Sequence, residues 1–364
     1  MSSHFVNSVV TGVVNNGAAA VVAGAASIAS FLSGCGRRVM QGRRRALPAL
    51  LMAGAGLLGA PLAQANVVVV LNSGDATISL LDQATYTEIK SVPVGKEPHH
   101  LMATPDNKSL IVASATGNEL IFLDPKTGDI QRRIKDIIDP YQIGFSPDQK
   151  WFIANALRLD RIDIYRYDGT DLKLAKRLPL PKMPSHMAFS ADSTTAFITQ
   201  QGSNEVSAVD LATQTVKWTI PVGNLPAGIA MTPDDKYLLV GIMGSDYVEV
   251  IDWRARKTVK KIKAGEGAHN FRSLGDKRRT FVSNRISNTI NIIDQQTLEN
   301  VGTINVPGGP DCMELTEDGK TLWVTLRWIK KVAVIDIASR KVIKLIPVGR
   351  SPHGVYFINN AARL

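Results

Sequence analysis

Pro98-His99-His100-Leu101-Met102-Ala103-Thr104-Pro105-Asp106 is the stretch on which the fold turns, because its shape returns six more times along the chain. The later copies begin at Pro140, Pro184, Pro226, Ala268, Pro310 and Pro352, at spacings of 42, 44, 42, 42, 42 and 42 residues. A second marker keeps the same register: Asp82, Asp124, Asp168, Asp210, Asp252, Asp294 and Asp336 each precede one of those positions by 16 residues. Two markers in one register make an internal repeat, which overrides any domain count drawn from the 364-residue length.

Inside a unit the apolar period is two. Ile229 and Met231 alternate with Ala230 and Thr232, and Pro233-Asp234-Asp235 marks a turn. Tyr237–Val240, Tyr247–Asp252 and Thr258–Ile262 follow, separated by turn-forming residues. Each unit therefore reads as four short antiparallel strands. Seven such sheets cannot cover their own faces, so they pack blade on blade as an all-β, seven-bladed propeller. The chain starts with three strands (Val67–Leu71, Ile78–Asp82, Thr87–Val92) and ends with one innermost strand, His353–Phe357. The two termini are expected to complete one blade and so remove the free edges.

The units Pro226-Ala227-Gly228-Ile229-Ala230-Met231-Thr232-Pro233-Asp234 and Ser283-Asn284-Arg285-Ile286-Ser287-Asn288-Thr289-Ile290-Asn291-Ile292-Ile293-Asp294 resemble the YVTN-repeat β-propeller family, seven-bladed and YncE-like exported proteins. The resemblance spans residues 66–358, with forms such as Ile153-Ala154-Asn155 in place of the tetrapeptide. It implies the fold. For activity it implies only a range, since similar propellers include binding proteins, cofactor-carrying oxidoreductase subunits and lyases.

Aligning the units gives two rings at the start of the innermost strands. The first reads His99, Tyr141, Ser185, Ala227, His269, Asp311, His353, and the second His100, Gln142, His186, Gly228, Asn270, Cys312, Gly354. These slots hold every histidine and the one cysteine of residues 66–364. Once the leader with Cys35 is removed, Cys312 has no partner for an internal disulfide, and a lone thiol is then either buried or a ligand. Strict alternation turns the second ring toward the axis, together with Arg272, Glu314 and Tyr356, and makes Arg272 and Glu314 neighbours beside a watery channel.

His100, His186, His269, His353 and Cys312 are the candidate metal ligands, since imidazole and thiolate suit zinc, copper or haem iron; Asp311 offers an oxygen. The cofactor implied is a transition metal or a haem-type group, although no C-x-x-C-H for covalent haem is present. An organic or peptide ligand is a second reading, held by His99, His100, His186, His269 and His353 with Arg158, Arg272, Arg285, Arg327 and Trp328 around them. In a third, the histidines only bond neighbouring carbonyls. The third unit's two extra residues are assigned to Ala156–Asp160, a loop on the same rim.

Other features bound the function. Residues 1–65 carry five arginines and no lysine or acid, which leaves +5 of the formal +10 for the remainder. Arg43-Arg44-Arg45, the apolar stretch Ala46–Leu62 and Ala63-Gln64-Ala65 read as an export signal cleaved before Asn66, with Met40 the candidate start and a loose twin-arginine pattern. Leu32-Ser33-Gly34-Cys35 is a rival lipobox-like leader. Prolines and glycines interrupt the apolar stretch, so no transmembrane span is expected after cleavage. Arg254, Arg256, Lys257, Lys260, Lys261 and Lys263 form a basic run at an outer hairpin, but export argues against nucleic acid. No phosphate loop, G-x-S-x-G or H-E-x-x-H occurs. The expectation is a leader (1–65) and one propeller domain (66–364): a periplasmic, monomeric binding module for a small ligand or a periplasmic protein. The alternative is a metal- or cofactor-dependent oxidoreductase subunit or lyase using the same His/Cys cluster.

Overall fold

The computed structural model describes residues 66–361. The expected export signal, the candidate start Met40 and the lipobox-like stretch at Cys35 lie outside them. The described residues form seven four-stranded antiparallel sheets, six of them built from strands consecutive in the chain, innermost first. Blade 1 comprises Pro98–Ala103, Leu110–Ser114, Glu119–Leu123 and Ile130–Lys135, and blades 2 to 6 repeat it from Pro140, Pro184, Pro226, Ala268 and Pro310. Blade 7 combines Pro352–Tyr356 with Val67–Asn72, Thr77–Asp82 and Thr87–Pro93. The termini thus share one sheet, with Val70 opposite Val355. Each innermost strand packs on those of both neighbouring blades, so the ring is closed.

The repeat markers are turn chemistry. Asp82 Oδ1 accepts the backbone N–H groups of Ala84 (2.8 Å) and Thr85 (2.9 Å), and Asp124, Asp168, Asp210, Asp252, Asp294 and Asp336 cap the equivalent hairpins. Two middle strands per blade are buried on both faces and the outermost is mainly exposed. The core therefore lies between blades: Phe281 and Ile290 of blade 5 meet Leu322 and Val324 of blade 6, and Trp323 meets Val68 and Val70 of blade 7. Burying one such side chain contributes about 1.5–3 kcal/mol.

Blade 2 corrects one expectation. Leu157–Leu159 form a short 3-10 turn, but the segment between the second and third strands there is no longer than in other blades. The two extra residues lengthen the third strand instead, Arg161–Tyr167 before Asp168, against Glu205–Asp210 in blade 3. They are absorbed by strand pairing and extend toward the hairpin-turn face rather than the rim.

Candidate functional site

A register shift falls at the start of every innermost strand: Pro98 pairs with Ser114 but Leu101 with Val112, and the other six blades show the same irregularity. Each is a β-bulge, in which two successive residues share the place of one. Strict alternation would turn the first ring away from the second. The bulges instead bring both rings toward the axis, and residues from all round the propeller meet there.

His99 stacks on His353 with ring centroids 3.9 Å apart and lies 4.0 Å from the Tyr141 ring. His100 meets His353 at 4.7 Å and His186 at 5.2 Å, both edge-on, and His186 meets His269 at 5.1 Å. Asp311 closes the circle, 3.2 Å from His269 Nδ1 and 3.6 Å from His353 Nε2. Cys312 Sγ lies 3.5 Å from His353 Nδ1 and accepts from Asn270 Nδ2 at 3.2 Å. All five histidines, Asp311 and Cys312 are thus one connected cluster, with the histidines 0–8% exposed. Gly228 leaves the room this requires: a Cβ there would stand 1.9 Å from the His269 carbonyl oxygen.

Burial depresses every imidazole pKa, to about 4 for His100 and His269 and well below the usual value for His99, His186 and His353. Burial alone would raise the Asp311 carboxyl. The Arg285 guanidinium at 2.6 Å and the neighbouring His353 and His269 outweigh it and hold that carboxyl well below its usual range. Arg327 adds a contact at 3.4 Å. Burial also pushes the Cys312 thiol up, which keeps it protonated.

His100 Nδ1 lies 2.7 Å from the Tyr141 carbonyl oxygen, which can only accept, so Nδ1 carries the proton and Nε2 the bare lone pair. That Nε2 has no hydrogen-bond partner among the described residues, nor have Nε2 of His186, His269 and His353. Each unmet buried polar atom costs about 1–3 kcal/mol. The donor atoms of His99, His100 and His353 lie within 4.8 Å of one another, as do those of Asp311, Cys312 and His353, so His353 belongs to both sets. His186 and His269 border these sets without joining them at that distance.

The second ring roofs a cavity of about 400 Å³ that runs from His100 and Cys312 along the innermost strands to Asn107 and Asn360. A smaller cavity of about 220 Å³ beneath His186 adjoins it at Gln142, Asn270 and Phe271. His100 and His186 thus face the channel on the hairpin-turn side, while His99, His269 and His353 line neither cavity.

Of the remaining candidates, two touch the cluster. Arg285 and Arg327 clasp Asp311 from the loop side. Arg158 is bound to Asp139 (2.5 Å) and Glu97 (2.7 Å) on the rim, and Trp328 is 55% exposed over Gly309. Arg272 and Glu314 are neighbours at 2.7 Å, but both are fully buried rather than beside water. Arg272 also donates to the carbonyl of Ala361, since the C-terminal segment folds back over this end of the channel. In the basic run, Arg254 pairs with Asp235 and Lys263 with Asp246. Tyr141 was not among the candidates, yet it supplies both the carbonyl that orients His100 and a wall against His99. Its signal is its slot in the first ring.

No helix among the described residues is long and apolar enough to cross a membrane. No curated protein matches the chain by sequence. By structure it is similar to a functionally unknown protein from Desulfotomaculum acetoxidans DSM 771, at 15% identity over 80% of this chain and 98% of that one, with a TM-score of 0.69. It is also similar to the dihydro-heme d1 dehydrogenase NirN in complex with DHE, at 17% identity over 81% of this chain and 76% of that one, TM-score 0.61. A third likeness is to Kuenenia stuttgartiensis hydrazine synthase, at 18% identity over 72% and 92%, TM-score 0.60. At these identities the likeness is one of fold. The sequence pattern of the YNCE-like beta-propellers, in contrast, matches residues 40–363, and with seven closed blades behind that match the chain belongs to the YNCE-like β-propeller family.

Proposed function

We propose that this protein is an exported binding module that holds a transition-metal ion on the axis of its propeller. The observation that carries the reading is the set of buried imidazole nitrogens without hydrogen-bond partners, contributed by four blades, together with the donors of His99, His100 and His353 within 4.8 Å of one another. Neutral imidazole is the commonest protein ligand for such ions, and the bond from His100 Nδ1 to the Tyr141 carbonyl is the kind of outer contact that orients a ligating ring. His99, His100 and His353 are the first ligands, with Cys312 beside them. The leader of residues 1–65 delivers the protein to the periplasm and is removed there.

The cavity of about 400 Å³ against the second ring favours a second role for the same ion. Three protein ligands and an open position facing a chamber are what a catalytic centre requires, so a redox or lyase reaction on a small substrate is the alternative. NirN, of similar fold, was solved in complex with DHE.

Elemental analysis and an absorption spectrum of protein taken from its native compartment test the proposal. One equivalent of copper, zinc or iron supports it. Spectrally clean protein that neither contains nor takes up any of them defeats it.

A further inference from the structure

Resting on the metal-binding reading, we infer that the ion is monovalent copper, Cu(I), and that it enters from the hairpin-turn face along the axial cavity.

Charge is the first argument. The one carboxylate in the cluster, Asp311, is already held by two guanidinium groups, Arg285 at 2.6 Å and Arg327 at 3.4 Å. The histidines are neutral donors, and the Arg272–Glu314 pair lower in the channel cancels itself. The surroundings of the site therefore carry positive charge before an ion arrives. The cost of burying an ion in a medium of low dielectric grows as the square of its charge, so a monovalent ion meets about a quarter of the penalty of a divalent one. It is also repelled half as strongly by Arg285 and Arg327.

Donor type and number agree. Imidazoles and Cys312, whose thiol gives up its proton to solvent on metal binding, form a soft donor set at the roof, with Met102 and Met313 among the residues lining the cavity below, and soft sulfur ligands select Cu(I). Three donors within 4.8 Å of one another suit a closed-shell ion that is content with two or three ligands. Zinc, by contrast, completes four, and the carboxylate it would recruit is engaged by arginine.

The route follows from what is closed. On the loop side the stack of His353, His99 and Tyr141 and the clasp of Arg285 on Asp311 stand in the way. On the other side the cavity reaches from His100 and Cys312 to Asn107, in a hairpin turn of blade 1, and passes Asn360 of the C-terminal segment, which folds over part of this end. Met313 also packs between blades 5 and 6, so this residue belongs both to the core and to the lining of the route.

The test is an anaerobic competition titration of the processed protein against bicinchoninate for Cu(I), run beside a chromophoric chelator for Zn(II). One equivalent of Cu(I) withdrawn from bicinchoninate, with Zn(II) at least about tenfold weaker, is expected. One equivalent of Zn(II) bound as tightly as Cu(I) overturns the copper assignment and leaves the metal reading standing. Retention of neither metal overturns both. For the route, M102L/M313L conserves volume and so keeps the fold. It is expected to slow Cu(I) uptake in stopped flow severalfold while leaving the final stoichiometry at one. Uptake at the unaltered rate overturns the route.

Discussion

His99 lies face to face with His353, ring centroids 3.9 Å apart and planes 30° apart, although the two belong to the first and last copies of the repeat. The contact exists only because the C-terminal strand Pro352–Tyr356 pairs with the N-terminal strand Val67–Asn72 and so places blade 7 beside blade 1. Closing the ring and assembling the imidazole cluster are one event.

Truncation before Pro352 tests that link. The shortened chain loses His353 and leaves Val67–Asn72 as an unpaired edge, which is a template for association. Size-exclusion chromatography should show aggregation, and thermal unfolding a broadened, lowered transition. A monomer with an unchanged midpoint would contradict the coupling.

The Arg272–Glu314 pair gives a second prediction. Both side chains are fully buried, with 2.7 Å between Arg272 Nε and Glu314 Oε1, and Arg272 also holds the C-terminal segment through the carbonyl of Ala361. Glu314→Gln leaves a buried cation and should cost about 3–5 kcal/mol in urea unfolding. The double change Arg272→Met with Glu314→Leu should recover most of that. A loss below about 1 kcal/mol in the single variant would show that the pair is not isolated from water.

Gly228 gives a third. A methyl group there meets the His269 carbonyl oxygen at 1.9 Å, and the obstacle is backbone rather than a flexible side chain. Gly228→Ala should destabilise by about 1–3 kcal/mol or more and displace the His269 ring from Asp311. Wild-type stability would mean that blades 4 and 5 are not so closely set.

Acid should weaken the fold in a defined window. An unfolded histidine protonates near pH 6.5, whereas burial lowers His100 and His269 to about 4 and the other three well below their usual value. Between those pH values the unfolded chain takes up protons that the folded chain refuses. Stability is therefore fully present above about pH 6.5 and falls as pH drops toward 4, by up to about 1.4 kcal/mol per pH unit for each imidazole. Asp311, held low by Arg285, does not offset this. Urea midpoints at pH 7.5 and 4.5 measure it, and equal midpoints would contradict the neutral, buried cluster.

The architecture was legible because it is written in repeated short-range chemistry. Asp82 and its six equivalents cap hairpins through their own backbone neighbours, so their spacing reports blade spacing directly. Closure could be read from three strands at one end and one at the other. The site was half legible. The clustering of His99, His100, His186, His269, His353 and Cys312 in ring positions is visible in the chain, but their facing is not, because a bulge such as that between Pro98 and Leu101 is a property of pairing with Ser114 and Val112. Alternation applied across it misassigns the first ring. The same holds for the extra residues of blade 2, which strand pairing absorbs into Arg161–Tyr167. Arg272 and Glu314 read as neighbours beside a watery channel; they are neighbours and Arg272 lines the smaller cavity, but both side chains are buried against each other rather than exposed to water.

The most direct test of the account is an anomalous difference map from crystals loaded anaerobically with Cu(I), collected on either side of the copper absorption edge. A single peak on the propeller axis, within bonding distance of imidazole nitrogens of His100 and His353, is the predicted result. An axis without a peak, or copper found only at the rim beside Arg158 or Trp328, would contradict it.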